Sequence, residues 1–557
     1  MRNVNLINSL VRKCIFDKLV SPRATNLVEW AAQLRLLGVC SQWTRELQSL
    51  IFQDVFLEFS EVDIKPGREN NAEADHGNSR RQIGFKTNVE CVVSRGNCHS
   101  IRAIHISSHF YVPPRRFIND TLSALDFGHL EWPDVRSLNI ANLRSHFEPV
   151  SYEFSEMAYD EPTELNFGEI IARQMPRISE LRLDLYESLS SDFASTIFGL
   201  LARQLCVFVC STHLRQGLSG SCDNLTHLDI RLGLLANQLP LLRFSVSLLR
   251  FLSLHNVPMD FSLKSLVDLN GEQAVFSSLK TLYLAYSAVG GSALGDTMDD
   301  NSVALTKAVQ NMPGLPVLDT LHILGCPLNC ELLAADLENV KSFKISGDIS
   351  NMRTSLGLKL GQMRHLSISL ADIGDADDPD IYGIISNLLS KSASLEDAHL
   401  HFDCLVVPLG ASKSNWTNWT SLTKLTINGA VCAVTILDLI DSLPNLLELA
   451  VALNYNAVDP EEIMLGEKMW LMRVESRPLE SKLQVLGLTV TGFEQSPELN
   501  KHVHTYLLTS LPTLQVMYTN CDLQLYLESL IETKSSRYPH LSDVKLFFES
   551  YFFQHNF

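Results

Sequence analysis

The sequence predicts an α/β solenoid in which short parallel strands alternate with helices and successive units stack on one another. Three observations lead to this prediction: an apolar pattern that recurs along most of the chain, helical patterns between its recurrences, and a length of 557 residues. A single hydrophobic core rarely extends beyond ~250–300 residues, so a chain of this length requires several domains or an array of repeats. Hydrophobic residues make up 46% of the sequence and charged residues 19%, which predicts a folded chain.

The recurring pattern is L-x-x-L-x-L, in which other apolar residues replace leucine at several positions. A strand has a two-residue period, so positions four and six face a core while positions three, five and seven face the opposite side. Fifteen such segments occur, on average about 31 residues apart, which is near the upper limit for leucine-rich repeats. They begin at Ile101, Val135, Ile178, Leu225, Leu249, Leu279, Leu318, Val340, Met363, Leu395, Leu422, Leu446, Leu483, Leu514 and Leu541.

Amphipathic helical patterns lie between these strands. Apolar residues with the spacing i, i+3, i+4, i+7 occur in three segments, 381–388, 436–443 and 523–530, which predicts helices that pack against neighbouring units. Two repeats also carry the cysteine or asparagine of the leucine-rich-repeat pattern at position nine, at Cys326 and Asn454. The fold expected from 83 to 557 is therefore a degenerate leucine-rich-repeat-like solenoid. The alternative is an ordinary α/β protein whose core strands match the pattern by coincidence.

The first 60 residues differ from the repeats, because their apolar residues are spaced as in compact helices. A polar segment follows at 61–82, with almost no apolar residues, and predicts a linker. The N-terminal segments CIFDKLV (14–20) and LRLLGVCSQWTREL (34–47) resemble the two helices of an F-box, separated by a loop around Pro22 to Trp30. Followed by degenerate repeats, the segment is similar to the F-box and leucine-rich-repeat proteins, particularly their divergent fungal-type members.

The resemblance implies a substrate-recognition subunit of a cullin-type ubiquitin ligase. In that family the F-box binds a Skp-family adaptor and the repeats bind a protein substrate. The alternatives are a helical cap that only closes the end of the solenoid, and a repeat scaffold without any connection to a ligase. The adaptor-binding residues implied by the resemblance are Leu10, Ile15, Phe16, Leu19, Leu37, Val39 and Trp43.

Histidine is enriched at positions three, five and seven of the repeats, which are expected to line a concave face. Seven of the 17 histidines occupy these 45 positions, where an even distribution would place about 1.4. The enrichment fits either a protonation-sensitive binding face or neutral polar side chains without a specific role. The residues predicted to bind the partner on this face are His227, His322, His365, Asp397, His399, His401 and Lys424.

The charge of the chain limits the classes of partner. The formal net charge is −18, which disfavours nucleic acids and anionic membranes as partners of the whole molecule. The stretch from Arg80 to Arg116 is locally basic and fits either an acidic partner or solvated charges. No apolar run reaches the ~18–20 residues of a membrane span, and we find no signal-peptide pattern. The cysteines lack the spacing of a disulfide framework, so we expect a reduced protein of the cytoplasm or nucleus.

No motif in the sequence ties a residue spacing to a reaction, and we therefore expect neither an enzyme nor a cofactor. Phosphate-binding loops, dinucleotide fingerprints, nucleophile elbows and HExxH helices do not occur. Cys206, Cys210 and His213 have loosely metal-like spacing, but they lie in an apolar stretch that we interpret as helical, and we expect core cysteines there. The acidic segment 372–380 lacks the glycine and glutamate of a calcium loop.

Overall fold

The recurring apolar pattern corresponds to a series of parallel strands, one per repeat. In this computed structural model, a strand begins two residues after the start of each of the fifteen predicted segments, from Ile101 to Leu541. Wherever the burial of positions one, four and six is described, these residues are buried, as in Leu395, Ala398 and Leu400. All pairings between neighbouring strands of this series are parallel, so the prediction of an α/β repeat solenoid is confirmed at this level.

The structure describes part of the chain, namely residues 26–35, 51–63, 81–94, 98–108, 114–125, 131–142, 161–185, 191–214, 220–232, 242–244, 246–257, 276–286, 315–325, 339–348, 362–371, 393–406, 419–430, 433–454, 481–491, 511, 513–519 and 543–546. The chain forms two units, of which the first comprises Met1–Asn256 and Leu263–Phe276 and the second Val257–Ser262 and Ser277–Phe557.

The strands of the first unit form a sheet in the order β2-β1-β3-β4-β5-β6-β8-β10. Strand β2 is antiparallel to β1, and every other pairing in this sheet is parallel. Two short strands, β7 and β9, pair separately. The strands are β1 (Asp54–Asp63), β2 (Arg81–Thr87), β3 (Ala103–Ser108), β4 (Ser137–Asn142), β5 (Glu180–Leu185), β6 (Val207–Leu214), β7 (Gly220–Cys222), β8 (His227–Leu232), β9 (Leu242–Phe244) and β10 (Phe251–Val257).

The strands of the second unit pair in chain order, each with the next, and all in parallel. In such an order, the chain must cross over after each strand and return so that the next strand lies beside it in parallel, as in stacked repeats. The strands are β11 (Thr281–Tyr286), β12 (Thr320–Leu324), β13 (Ser342–Asp348), β14 (His365–Ala371), β15 (Asp397–Val406), β16 (Lys424–Ala430), β17 (Glu448–Asn454), β18 (Val485–Thr491), β19 (Val516–Thr519) and β20 (Asp543–Leu546).

Helices cover the core side of the sheet wherever they are described. Phe117 on α3 stacks on Phe59 of β1 at 5.1 Å, and Phe198 on α5 contacts Phe208 of β6 at 4.6 Å. In the second unit, Ile436, Leu439 and Ile440 of α6 are buried, as their spacing predicts. The helices are α1 (Leu27–Leu34), α2 (Val89–Ser94), α3 (Pro114–Leu125), α4 (Glu161–Gln174), α5 (Ser191–Leu201) and α6 (Ala433–Ser442), with 3₁₀ turns at Cys98–Ser100 and Val246–Leu248.

One backbone carbonyl per repeat holds the neighbouring repeat in register. The carbonyl at position two accepts two N–H groups from the next repeat, those of its positions two and three. Arg364 O, for example, accepts from Glu396 N at 2.8 Å and from Asp397 N at 2.9 Å. The same arrangement recurs through both units. Because the same bonds recur, each strand has the same register relative to the preceding strand. Equivalent positions of successive repeats within a sheet therefore lie in rows perpendicular to the strands.

Wherever its burial is described, the residue three positions before the strand pattern is buried and extends the repeat. In several repeats the carbonyl of this residue accepts a turn hydrogen bond from the N–H of position one, as in Val135 N to Trp132 O and Leu422 N to Trp419 O. An asparagine immediately before position one adds a link between repeats. Asn224, Asn339 and Asn445 each donate a side-chain hydrogen bond to a carbonyl of the preceding turn.

Two repeats were not recognised in the sequence. Strand β1 follows Phe52 and strand β6 follows Leu205, and both have the same spacing of apolar residues as the others. Gln53 and Ser179 each accept the double hydrogen bond of the following strand, which places these two strands in the same series. The predicted boundary at residue 60 therefore falls within β1, and the helical interpretation of the stretch around Cys206 is wrong, because α5 ends at Leu201 and β6 begins at Val207.

Candidate partner-binding face

The side chains at positions three, five and seven lie on the sheet face opposite the core, which we call the open face. The strand register places them in rows that run across successive repeats. In the second unit, one row contains His365, Asp397, Lys424 and Glu448, and the next contains Ser367, His399 and Thr426. Five of the seven predicted partner-binding residues therefore lie together on three adjacent strands, β14–β16. His322 lies apart on β12, and His227 belongs to the first unit.

Asp397 is the centre of this cluster. Its carboxylate lies 3.2 Å from His399 Nε2 and 3.8 Å from His365 Nδ1. Burial opposes ionisation of this carboxyl, but the hydrogen bond from His399 and the charges of His399, Lys424 and His365 outweigh burial. The pKa of Asp397 therefore lies below its ordinary value. The cluster retains a negative charge at its centre at neutral pH.

Two further contacts organise the side chains around Asp397. Lys424 Nζ lies 3.4 Å from Glu448 Oε2, and both side chains are about half exposed. Asn428 Nδ2 lies 2.6 Å from His401 Nδ1, which fixes the orientation of that ring. Carboxylate, ammonium, amide and imidazole groups thus lie side by side on the same face. Such a surface offers both hydrogen-bond donors and acceptors to a partner.

His322 has a different environment from the cluster. Its ring contacts Tyr283 edge-on at 6.1 Å, and Lys344 is its neighbour on the next strand. Burial, and secondly the charge of Lys344, lower the pKa of His322 below its ordinary value. Burial also lowers the pKa of Lys344. Protonation of His322 is therefore disfavoured, and this histidine contributes less to charge changes near neutral pH than an exposed one.

The open face of the first unit repeats the combination of aspartate and histidine. Asp229 lies 3.2 Å from His255 Nε2, and Ser253 also bonds its carboxylate. Burial opposes ionisation of Asp229, but these hydrogen bonds and the charges of His255 and His227 outweigh it, so its pKa is lowered. His227 stacks on Phe251 at 4.0 Å. Burial chiefly lowers the pKa of His227, against the opposing effect of Asp229.

Ser253, His255 and Asp229 are close together, but their geometry differs from that of a catalytic triad. Ser253 Oγ lies 3.1 Å from His255 Nε2, and Asp229 contacts the same nitrogen. In a triad, the nucleophile and the orienting carboxylate contact opposite nitrogens of the imidazole, so that one accepts the proton while the other is held. Flipping the His255 ring by 180° would not produce a triad, because Ser253 and Asp229 would still both lie next to the same side of the imidazole.

The histidine enrichment has a structural counterpart in these pairs. Asp54 lies 3.6 Å from His105, whose ring stacks on Phe56, and Asp229 and Asp397 have histidine partners of the same kind. Four of the seven histidines on the open face thus lie beside an aspartate on the same or an adjacent strand. The sequence signal that could have revealed them is an aspartate at position three or five of the same or the neighbouring repeat.

Replacing Asp397 with asparagine is expected to lower the stability by about 1 kcal/mol at pH 7. Because the folded pKa is lowered, this stabilisation is present above the ordinary value of 3.8 and is lost as the pH falls through the folded value. Thermal melts of both proteins between pH 7 and pH 2 should therefore converge in acid. Asp319→Asn, which removes an exposed pair with Lys341, is the matched control and should change little. A difference at Asp397 that persists in strong acid would contradict this account.

The remaining predicted site residues fall into two groups. Leu10, Ile15, Phe16, Leu19, Leu37, Val39 and Trp43 lie outside the described residues, as do the segments 64–80 and 372–392. Part of the predicted loop around Pro22 to Trp30 is helical, since α1 begins at Leu27. Trp30 of this helix is buried against Phe52 and donates to Ile51 O at 3.0 Å.

Cys206 and Cys210 lie on or next to β6. Cys210 is buried on the core side, while Cys206 is half-buried. Within the described residues, no three histidine, cysteine, aspartate or glutamate side chains are arranged to hold a metal ion. None of the helices in the same part of the chain has the length and hydrophobicity needed to span a membrane.

Comparison of the chain with profiles of known protein families finds no match. Comparison with curated proteins likewise finds no significantly similar sequence.

Proposed function

We propose that this protein binds another protein through the open face of its repeats and has no catalytic activity of its own. The observation that supports this most directly is the cluster of His365, Asp397, His399, His401 and Lys424 on three adjacent strands. Its side chains are polar and partly exposed. They project from a sheet whose neighbouring strands are held in register by the double hydrogen bonds to the carbonyl at position two. A rigid surface loses little conformational entropy on binding, so it suits recognition of a large partner.

The more specific proposal is a substrate-recognition subunit of a cullin-type ubiquitin ligase. It is supported by the resemblance of residues 14–20 and 34–47 to an F-box, followed by a repeat array. In this proposal the N-terminal helices bind a Skp-family adaptor in the cytoplasm or nucleus, and the open face binds the protein to be ubiquitinated. A repeat scaffold without ligase function shares the binding face but not the adaptor, so co-purification with a Skp-family adaptor distinguishes the two.

The binding face can be tested before the partner is known by placing a photo-crosslinking amino acid at Ser367 or Thr426. Both positions lie on the open face within the cluster. The same substitution at Asp441, which is exposed on α6, is the matched control. A partner that crosslinks from Ser367 and Thr426 but not from Asp441 supports the proposal. Crosslinking from Asp441 alone would place the partner on the helical side.

The affinity for that partner is expected to change between about pH 5.5 and pH 7.5, because histidine is the side chain that commonly changes charge in this range. The triple substitution His365→Gln, His399→Gln and His401→Gln should abolish the change. His322→Gln should have a smaller effect, since burial lowers the pKa of His322. Binding is measured by isothermal titration calorimetry at both pH values. An affinity that does not vary with pH in the wild type would show that these histidines have no part in sensing pH.

A further inference from the structure

The edge of the first unit at which the strands begin carries a concentration of arginine side chains. We call this surface the basic rim, and define it by Arg102, Arg136, Arg177, Arg203 and Arg250. All five lie in position two of a repeat or in the turn before it. Four of them are exposed, and the side chain of Arg102 is 40% exposed. The turns from the helix end to the strand start are described for β5 and β6.

The positive charge of the rim is only partly compensated. Asp134 lies between Arg102 and Arg177, at 3.5 Å from the first and 2.9 Å from the second, so one carboxylate serves two guanidinium groups. Arg136, Arg203 and Arg250 form no ion pair with any residue in the described part of the chain. Exposed Glu131 and Asp223 are the other described acids along this edge. The rim therefore has an excess of positive charge in a protein whose net charge is −18.

The equivalent edge of the second unit provides an internal comparison. There position two holds the charged residues Lys280, Asp319, Lys341, Arg364 and Glu396 among the described residues, and two of these three bases form ion pairs. Lys341 Nζ lies 2.9 Å from Asp319, and Arg364 lies 3.6 Å from Glu396. The repeat architecture thus permits ion pairs at position two, whereas three of the five arginines of the basic rim have no such partner among the described residues. Arginine also binds carboxylates in a bidentate geometry, which suits it to recognition.

We infer that the basic rim binds an extended acidic segment of another protein. The strands β3, β4, β5, β6, β8 and β10 are neighbours in this order, so Arg102 and Arg250 are separated by five strand spacings. At ~4.8 Å per spacing the rim is roughly 24 Å long, which an extended segment of about eight residues covers. Leu248, which is 45% exposed and precedes Arg250 by two residues, offers an apolar contact at one end. A long nucleic acid fits less well, because the whole chain repels a polyanion.

This inference goes beyond the proposed function, because the rim lies at the strand starts and the open face lies along the strands. The test uses a fluorescein-labelled peptide of four Glu-Ser repeats, in which all carboxylates of an extended chain point to one side. Fluorescence anisotropy at low salt measures its binding to the full chain. Arg136→Glu combined with Arg250→Glu should weaken binding at least tenfold, whereas Arg136→Lys with Arg250→Lys should retain most of it. The His365, His399 and His401 substitutions should leave it unchanged.

Arg364→Glu is the matched control, since Arg364 occupies position two in the second unit and is already paired with Glu396. It should change binding less than twofold, and all variants should melt within a few degrees of the wild type. A peptide of Lys-Ser repeats is attracted to other, acidic parts of the chain, so Arg136→Glu with Arg250→Glu should not weaken its binding. The inference is overturned if the acidic peptide does not bind, if Arg364→Glu weakens it as much as the double substitution, or if a DNA or RNA duplex binds the rim at least tenfold more tightly than the peptide.

Discussion

Replacing Trp132 with alanine is expected to lower the free energy of unfolding by about 3–5 kcal/mol, the largest effect on stability that we anticipate. Trp132 is fully buried three residues before the strand pattern of β4. Its ring nitrogen donates to Leu125 O at 3.0 Å, and its backbone N–H donates to Gln174 O at 2.9 Å. It therefore satisfies carbonyls at the ends of α3 and α4, which have no partner within their own helices.

The size of the effect depends on the ring more than on its hydrogen bond. Trp132→Phe keeps most of the buried apolar volume and loses only the bond to Leu125, so it should cost about 1–2 kcal/mol. Val28→Ala, at a side chain that is 79% exposed, serves as the control and should change stability by less than ~0.5 kcal/mol. Urea unfolding followed by circular dichroism measures all three. A loss below ~1 kcal/mol for Trp132→Ala would show that this turn is not part of the core.

The positions of the strands could be predicted from the sequence because the repeat pattern contains two independent signals. Apolar residues at positions four and six give the two-residue period of a strand, and the leucine at position one marks the buried turn before it. The repeat segment 395–400 shows both signals, even though Ala398 replaces a leucine. The pattern survives such replacements because the core requires an apolar side chain of suitable size rather than leucine itself.

The repeat at Leu205 was missed for a physical reason. Its strand, VFVC at 207–210, has apolar residues on both faces and therefore no alternation, and a short apolar run has the same appearance in a buried strand and in a buried helix. The repeat at Phe52 lies within the first 60 residues, whose apolar residues are otherwise spaced as in helices, and this spacing conceals its strand pattern. Neither error could be corrected without the double hydrogen bonds that place β1 and β6 in the series.

The candidate binding face could be predicted only as a set of positions. The sequence indicates which side chains avoid the core, but the spacing between repeats varies, so it does not specify which side chains become neighbours. His365 and Asp397 are 32 residues apart and face each other in the register of β14 and β15. The pairing of histidine with aspartate on this face arises from that register.

Replacing Phe16 with alanine is expected to weaken binding of a Skp-family adaptor by roughly thirtyfold or more, if the N-terminal segment acts as the F-box that it resembles. Interface residues of this kind often cost ~2 kcal/mol or more when truncated. In an F-box, some apolar side chains of the first helix face inward and others face the adaptor. We therefore expect part of the set Leu10, Ile15, Phe16 and Leu19 to be exposed in the free chain, with Trp43 on the inner side.

The measurement combines an adaptor pull-down with a thermal melt of the same variant. Loss of adaptor binding without a change in melting temperature would support the ligase proposal, because the effect of Phe16 would then lie in the interface. Trp30→Ala is the informative comparison. Trp30 is buried against Phe52, beside the first strand of the sheet, so its replacement should lower the melting temperature. If Phe16→Ala behaves like Trp30→Ala, or if the wild type binds no adaptor, the segment is a cap that seals the end of the repeats, and the scaffold alternative is favoured.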